Sequence, residues 1–134
     1  PGKLSWLFQW TPPDDRITII SAIGNHDEST GSPEDVISAA LIIADKTDVR
    51  RSRVREKERA AFDIHDRVNY AVTESKLKIE KDRLVIALNL QVDEKICSMY
   101  DYFEIFLGRM MLCRKSAEIL GTTFKLTVNG RKVL

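Results

Sequence analysis

Residues 82–94, Asp-Arg-Leu-Val-Ile-Ala-Leu-Asn-Leu-Gln-Val-Asp-Glu, decide how the rest of the chain is read. Leu84, Ile86, Leu88, Leu90 and Val92 recur at every second position, the spacing that aligns side chains on one face of an extended strand. So long an apolar face belongs near the centre of a sheet. The same period runs back through the turn Glu80-Lys81-Asp82-Arg83 to Leu77 and Ile79, and further to Val68, Tyr70 and Val72. Lys76, Lys78 and Glu80 alternate with Leu77 and Ile79, which places that strand toward an edge, where its lysines also discourage pairing with another sheet.

Downstream, Ser98-Met99-Tyr100-Asp101 has the Ser-x-x-acid form of a helix start. Met99, Phe103, Phe106, Met110, Cys113, Ala117 and Leu120 then follow at alternating spacings of four and three, one stripe of a helix that stops at Gly121. Asn129-Gly130 predicts a type I′ turn between Thr-Thr-Phe-Lys-Leu-Thr-Val and Arg-Lys-Val-Leu.

Upstream, Arg16–Ile23 alternates isoleucines with smaller residues, and its β-branched content predicts a covered strand. Ser32-Pro33-Glu34-Asp35 reads as a helix start, with Ser32 as cap and Pro33 in the first helical position. That helix runs to about Asp45 with hardly any polar face. The order strand, helix, basic segment, three strands, helix, two strands predicts an α+β fold. It would be a single two-layer domain with a mainly antiparallel sheet packed against two principal helices. Residues 1–15 form an N-terminal apolar arm and residues 16–134 the globular domain, with an exposed basic segment at 46–59.

At 134 residues and 43% hydrophobic content the chain has the size of one domain with a real core. Its 21 Lys and Arg against 20 Asp and Glu leave a charge of +1, so any polyanion binding has to come from a local cluster. Six Gly and four Pro exclude collagen-like and broadly disordered classes. No apolar run reaches the roughly 18 residues that cross a bilayer. If Cys97 and Cys113 lie along one helix they are about 24 Å apart, beyond disulfide reach, which fits a reducing, intracellular setting.

Catalytic and metal chemistry find no foothold in the spacing. His26 and His65 belong to no ligand or triad pattern, and Cys113 sits on the apolar stripe as a small hydrophobe. Adjacent Asp93 and Glu94 point apart and read as a turn. The chain is read as no enzyme, with no cofactor and no metal. Two clusters remain. Lys46–Arg59 carries seven basic and three acidic residues, a local charge of +4. Arg50, Arg51, Arg53, Arg55, Lys57 and Arg59 there suit phosphates of RNA or of anionic lipid, unless the segment is simply a solvated loop or helix. Trp6, Leu7, Phe8 and Trp10 ahead of Pro12-Pro13 suit the chain's own core, a neighbouring subunit or a membrane interface.

The Ile-rich segment, the helix Pro-Glu-Asp-Val-Ile-Ser-Ala-Ala-Leu at 33–41, the intervening basic stretch, residues 82–94, the Tyr/Phe-rich helix and the closing Val133-Leu134 together resemble the globular domain of vesiculovirus-type rhabdovirus matrix proteins. The resemblance covers roughly residues 16–134. It implies a viral structural protein that self-associates and bridges the inner membrane leaflet to the ribonucleoprotein during assembly and budding. Its partners would be other copies, an anionic membrane surface, the viral nucleocapsid or RNA, and host proteins. It would be found in the virion on the inner face of the envelope, and in the host cytoplasm, its membrane surface and the nucleus. In that family an exposed loop after the first helix serves self-association and membrane contact, and residues 46–59 occupy that interval. Here the segment is basic rather than apolar, which shifts its chemistry toward headgroup or nucleocapsid electrostatics. Thr11-Pro12-Pro13-Asp14 lacks the tyrosine of the family's budding motif, so recruitment of WW-type domains is not implied. The alternative is a nucleic-acid-binding viral accessory or regulatory module without membrane attachment.

Overall fold

Pro12-Pro13-Asp14-Asp15 begins a helix. Pro13 occupies the first turn, where its missing N–H costs nothing, and the two carboxylates lie at the positive end of the dipole. In the computed structural model, which describes residues 9–27, 31–54 and 63–134, this helix is α1, Pro13–Gly24. The expected strand at Arg16–Ile23 is therefore helix. The start signal outweighs the β preference of Ile17, Ile19, Ile20 and Ile23, a preference that depends on sheet neighbours this segment lacks. Helix α1 also begins inside the stretch read as an arm.

Helix α2 spans Val36–Thr47. It starts later than expected because Asp35, not Ser32, caps it. The Asp35 carboxylate accepts from the Ser38 N–H at 2.7 Å, and the Ser38 hydroxyl accepts from the Asp35 N–H at 3.0 Å. Ser38, Ala39, Ile42, Ile43 and Lys46 are buried, while Val36 and Ile37 are exposed, so the helix does have a solvent face. A 3₁₀ turn at Arg51–Arg53 follows.

The expected strand through Val68 and Tyr70 is likewise helix, α3, Ile64–Ala71. Asp63 caps it by accepting from the Asp66 N–H, and Val68 and Ala71, three apart, are its buried stripe. Strand β1, Val72–Glu80, starts directly at its end and pairs antiparallel with β2, Val85–Val92. A bulge at Thr73 shifts the register near β1's start. Helix α4, Met99–Ile119, crosses over to β3, Thr123–Val128, which runs parallel to β2. Asn129 and Gly130, both with positive φ, turn β3 into the short β4, Arg131–Lys132. Strand order is β1-β2-β3-β4.

The fold is α+β, with a four-stranded, mostly antiparallel open sheet and four helices among the described residues. Strand β2 lies inside the sheet and β1 is an end strand, as the polar alternation indicated. Ile86, Leu88, Leu90 and Val92 share the inner face with Phe124, Leu126 and Val128. Against them pack Tyr102, Phe106, Met110, Cys113 and Ala117 of α4, with Ile43, Val49 and Val68. Each large side chain so buried contributes about 1.5–3 kcal/mol. Leu84, expected on that face, is instead exposed in the β1–β2 turn at φ +52°.

Candidate functional site

Only part of segment 46–59 is an exposed basic stretch. Lys46, Thr47 and Val49 are buried, contrary to the expectation for the whole segment. Val49 supplies the apolar anchor, and Lys46 pairs with Asp45 at 2.8 Å beside a small polar recess with Asp48, Asn69 and Arg109. Burial of a lysine is tolerable only with such partners. Arg50 is exposed and pairs with Asp48 at 2.9 Å. Arg51 turns inward: its Nε donates to the Tyr70 carbonyl at 2.8 Å, and its guanidinium lies 4.3 Å over the Tyr70 ring. Arg53 belongs to the 3₁₀ turn, and Arg55, Lys57 and Arg59 lie outside the described residues. Arg50 and Arg51 are thus brought together with different tasks, one facing solvent and one holding α3.

Of the apolar cluster, Trp6, Leu7 and Phe8 lie outside the described residues, and Trp10 is 85% exposed. Trp10 is not alone. Helix α1 leaves Ile17 and Ile20 at 69% and 57% exposure, and Ile23 of α1 and Val36 and Ile37 of α2 are exposed as well. The α1 ridge escapes a sequence reading because the same isoleucines, taken at period two, belong to a buried strand. The signal that finds it is Pro13-Asp14-Asp15, which resets the period to 3.6.

A recess of about 500 Å³ opens beside the start of α4, lined by Met99, Phe103, Val128 and Val133 together with Glu94, Arg131 and Lys132. Asn129 holds one wall. Its side-chain oxygen accepts from the Val92 N–H at 2.7 Å and its Nδ2 donates to the Val92 carbonyl at 3.0 Å. The outer face of the sheet is polar and carries Lys76, Lys78, Lys125 and Lys132 with Asn89 and Gln91. Lys76 pairs with Glu74 at 2.7 Å and Lys78 with Glu80 at 3.3 Å. Lys78 and Arg83 together hold the Glu80 carboxyl below the usual carboxylate range.

The remaining reactive groups do not converge. His26 Nδ1 contacts the Ile23 carbonyl, and His65 is exposed in the first turn of α3. Cys97 and Cys113 are buried thiols that form no disulfide, and burial pushes the Cys97 thiol upward. Burial likewise raises the hydroxyl of Tyr102, whose ring stacks within the core on Phe106. Asp93 accepts from the Lys95 N–H in the turn before α4. Among the described residues no three His, Cys, Asp or Glu side chains are grouped to hold a metal ion. No helix there is long and apolar enough to cross a membrane. Comparison with known protein families, curated proteins and solved structures finds no match to this chain.

Proposed function

We propose that the chain is a self-associating structural protein of the viral matrix type, which bridges an anionic inner membrane leaflet to a ribonucleoprotein. The observation that carries this reading is the uncovered apolar ridge of α1 and its α2 flank. A single exposed isoleucine is ordinary, whereas two helices that pack on each other expose Ile17, Ile20, Ile23, Val36 and Ile37, with Trp10 just ahead in sequence, a concentration of apolar side chains of the kind that subunits cover. The resemblance of residues 16–134 to rhabdovirus matrix domains and the basic excess of residues 46–59, where Arg50 faces solvent while Lys46 and Arg51 turn inward, support the membrane and nucleocapsid part.

Sedimentation velocity tests the assembly step. The parent chain forms concentration-dependent oligomers, and Ile17→Ser with Ile20→Ser reverts it to monomer without lowering its melting temperature. A parent chain that stays monomeric throughout would sink the reading. Flotation tests the surface step: vesicles containing acidic lipid carry the chain at low salt and release it at high salt.

A nucleic-acid-binding module without membrane attachment is the second reading. It is favoured by the four lysines on the open face of the sheet. Under it, vesicles fail to carry the chain, while single-stranded RNA binds with an affinity that falls linearly in log salt.

A further inference from the structure

Strand β1 ends the sheet, and its two halves differ. Along its first half runs the segment after α2: the Ser75 hydroxyl donates to the Thr47 carbonyl at 3.2 Å, and Arg50, Arg51 and Ser52 line a recess with Thr73–Lys76. Along residues 76–80 no described residue makes a backbone hydrogen bond to the outer edge. An uncovered edge is a row of donors and acceptors that another extended chain can satisfy.

Side-chain placement narrows what fits. Leu77 pairs with Leu88 and Ile79 with Ile86, and opposed residues of an antiparallel ladder share a face. Leu88 and Ile86 are buried beneath the helices, yet Leu77 and Ile79 are 42% and 62% exposed. The helical layer stops one strand short and leaves an apolar ledge. A groove of about 370 Å³ between α2 and β1, lined by Ala44, Thr47, Arg50 and Leu77 among others, adjoins it. On the opposite face Lys76 and Lys78 project with Glu80. A second copy of β1 is a poorer match: centred on Leu77, antiparallel self-pairing sets Lys76 against Lys78 and Glu74 against Glu80, and centred on Lys78 it pairs Lys76 with Glu80 but sets Lys78 against its own copy.

We propose that residues 76–80 are a docking edge for an extended acidic-amphipathic segment of a partner protein. That segment joins antiparallel beyond β1, with carboxylates opposite Lys76 and Lys78 and apolar side chains opposite Leu77 and Ile79. Written in the partner's direction, the complementary core is Lys-Val-Glu-Leu-Glu, its lysine opposite Glu80. Backbone pairing supplies affinity, and the alternation supplies register. Lys76, Glu74 and Lys78 are exposed, so the two lysines can exchange partners at small cost, while the half-buried Glu80 keeps Arg83 at 3.2 Å. The proposal uses neither the α1 ridge nor the arginine segment's contact with membrane, so it stands or falls apart from self-association.

The probe is a fluorescein-labelled peptide carrying Lys-Val-Glu-Leu-Glu between Gly-Ser flanks, against a charge-reversed Glu-Val-Lys-Leu-Lys peptide. Anisotropy shows saturable binding of the first and at least tenfold weaker binding of the second. The exposed double substitution K76E/K78E, checked for folding by circular dichroism, inverts that preference. Amide exchange shows new protection confined to residues 76–80. The proposal is overturned by equal binding of both peptides, by no binding at millimolar peptide, by a preference K76E/K78E does not invert, by protection arising elsewhere, or by full protection of all amides from 76 to 80 in the free chain.

Discussion

Asn129 offers a severe test of how the sheet is closed. Its backbone sits at φ +50°, its N–H donates to the Leu90 carbonyl at 2.9 Å, and its side-chain amide bonds both the N–H and the carbonyl of Val92. The side chain acts as a surrogate strand residue beyond Val128, where β3 has turned away from β2. Asn129→Ala removes both side-chain bonds at about 1 kcal/mol each, and an alanine held in the left-handed region costs about 1 kcal/mol more. The sum is about 3 kcal/mol. For a chain of this size that corresponds to a fall in melting temperature of about 10 °C. Asn129→Gly loses the bonds but accepts the backbone angle, so it costs about 2 kcal/mol. Urea unfolding of the three proteins, with unchanged m-values, measures both differences. An alanine variant within about 0.5 kcal/mol of the parent would refute the surrogate role. A glycine variant as unstable as the alanine one would refute the conformational part.

Arg51→Ala should destabilise by about 1–2 kcal/mol, through its ring contact and carbonyl bond at Tyr70, whereas Arg50→Ala should stay within about 0.5 kcal/mol; paired urea titrations distinguish them. Acid should weaken the fold through Asp35 and Glu80. The Ser38 N–H lowers the Asp35 carboxyl and Lys78 with Arg83 lowers Glu80, so both stabilise above the ordinary carboxylate range and lose that contribution as pH falls through their lower folded values. Urea midpoints between about pH 5 and pH 2 should therefore decline, less steeply in Asp35→Asn. Cys97 and Cys113 should resist a thiol reagent in the folded chain and react at once in denaturant; fast labelling without denaturant would contradict their burial.

The elements legible from the chain alone are those whose local signals agree with one another. Residues 84–92 alternate without interruption, and the edge character of Leu77 and Ile79 follows from their lysine neighbours. Ser98, the four-three stripe and Gly121 bound α4 correctly, and Asn129-Gly130 marks its turn. Where two signals compete, the sequence reading errs. Arg16–Ile23 and Val68–Tyr70 carry strand-favouring residues at period two, yet Pro13-Asp14-Asp15 and Asp63 with Asp66 start helices there, and the strand begins only at Val72. Tyr102 and Ser116 fall off the stripe and are nonetheless buried, because α2 and α3 pack around a wider arc of α4 than one stripe describes.

The candidate surfaces divide in the same way. Composition places the charge at 46–59 and the aromatic residues near the start, since both are counts along a chain. Which of them face outward depends on contacts far apart in sequence. Arg51 is drawn inward by Tyr70, nineteen residues on, and Lys46 is buried at a recess that Asn69 and Arg109 complete. The α1 ridge is open because α2 covers only one side of that helix, and the β1 ledge because the helical layer ends one strand early. Local signals determine period, caps and turns through interactions within a few residues. Exposure is set by what arrives from elsewhere in the fold, so only the tertiary structure decides which apolar and charged groups are left to meet a partner.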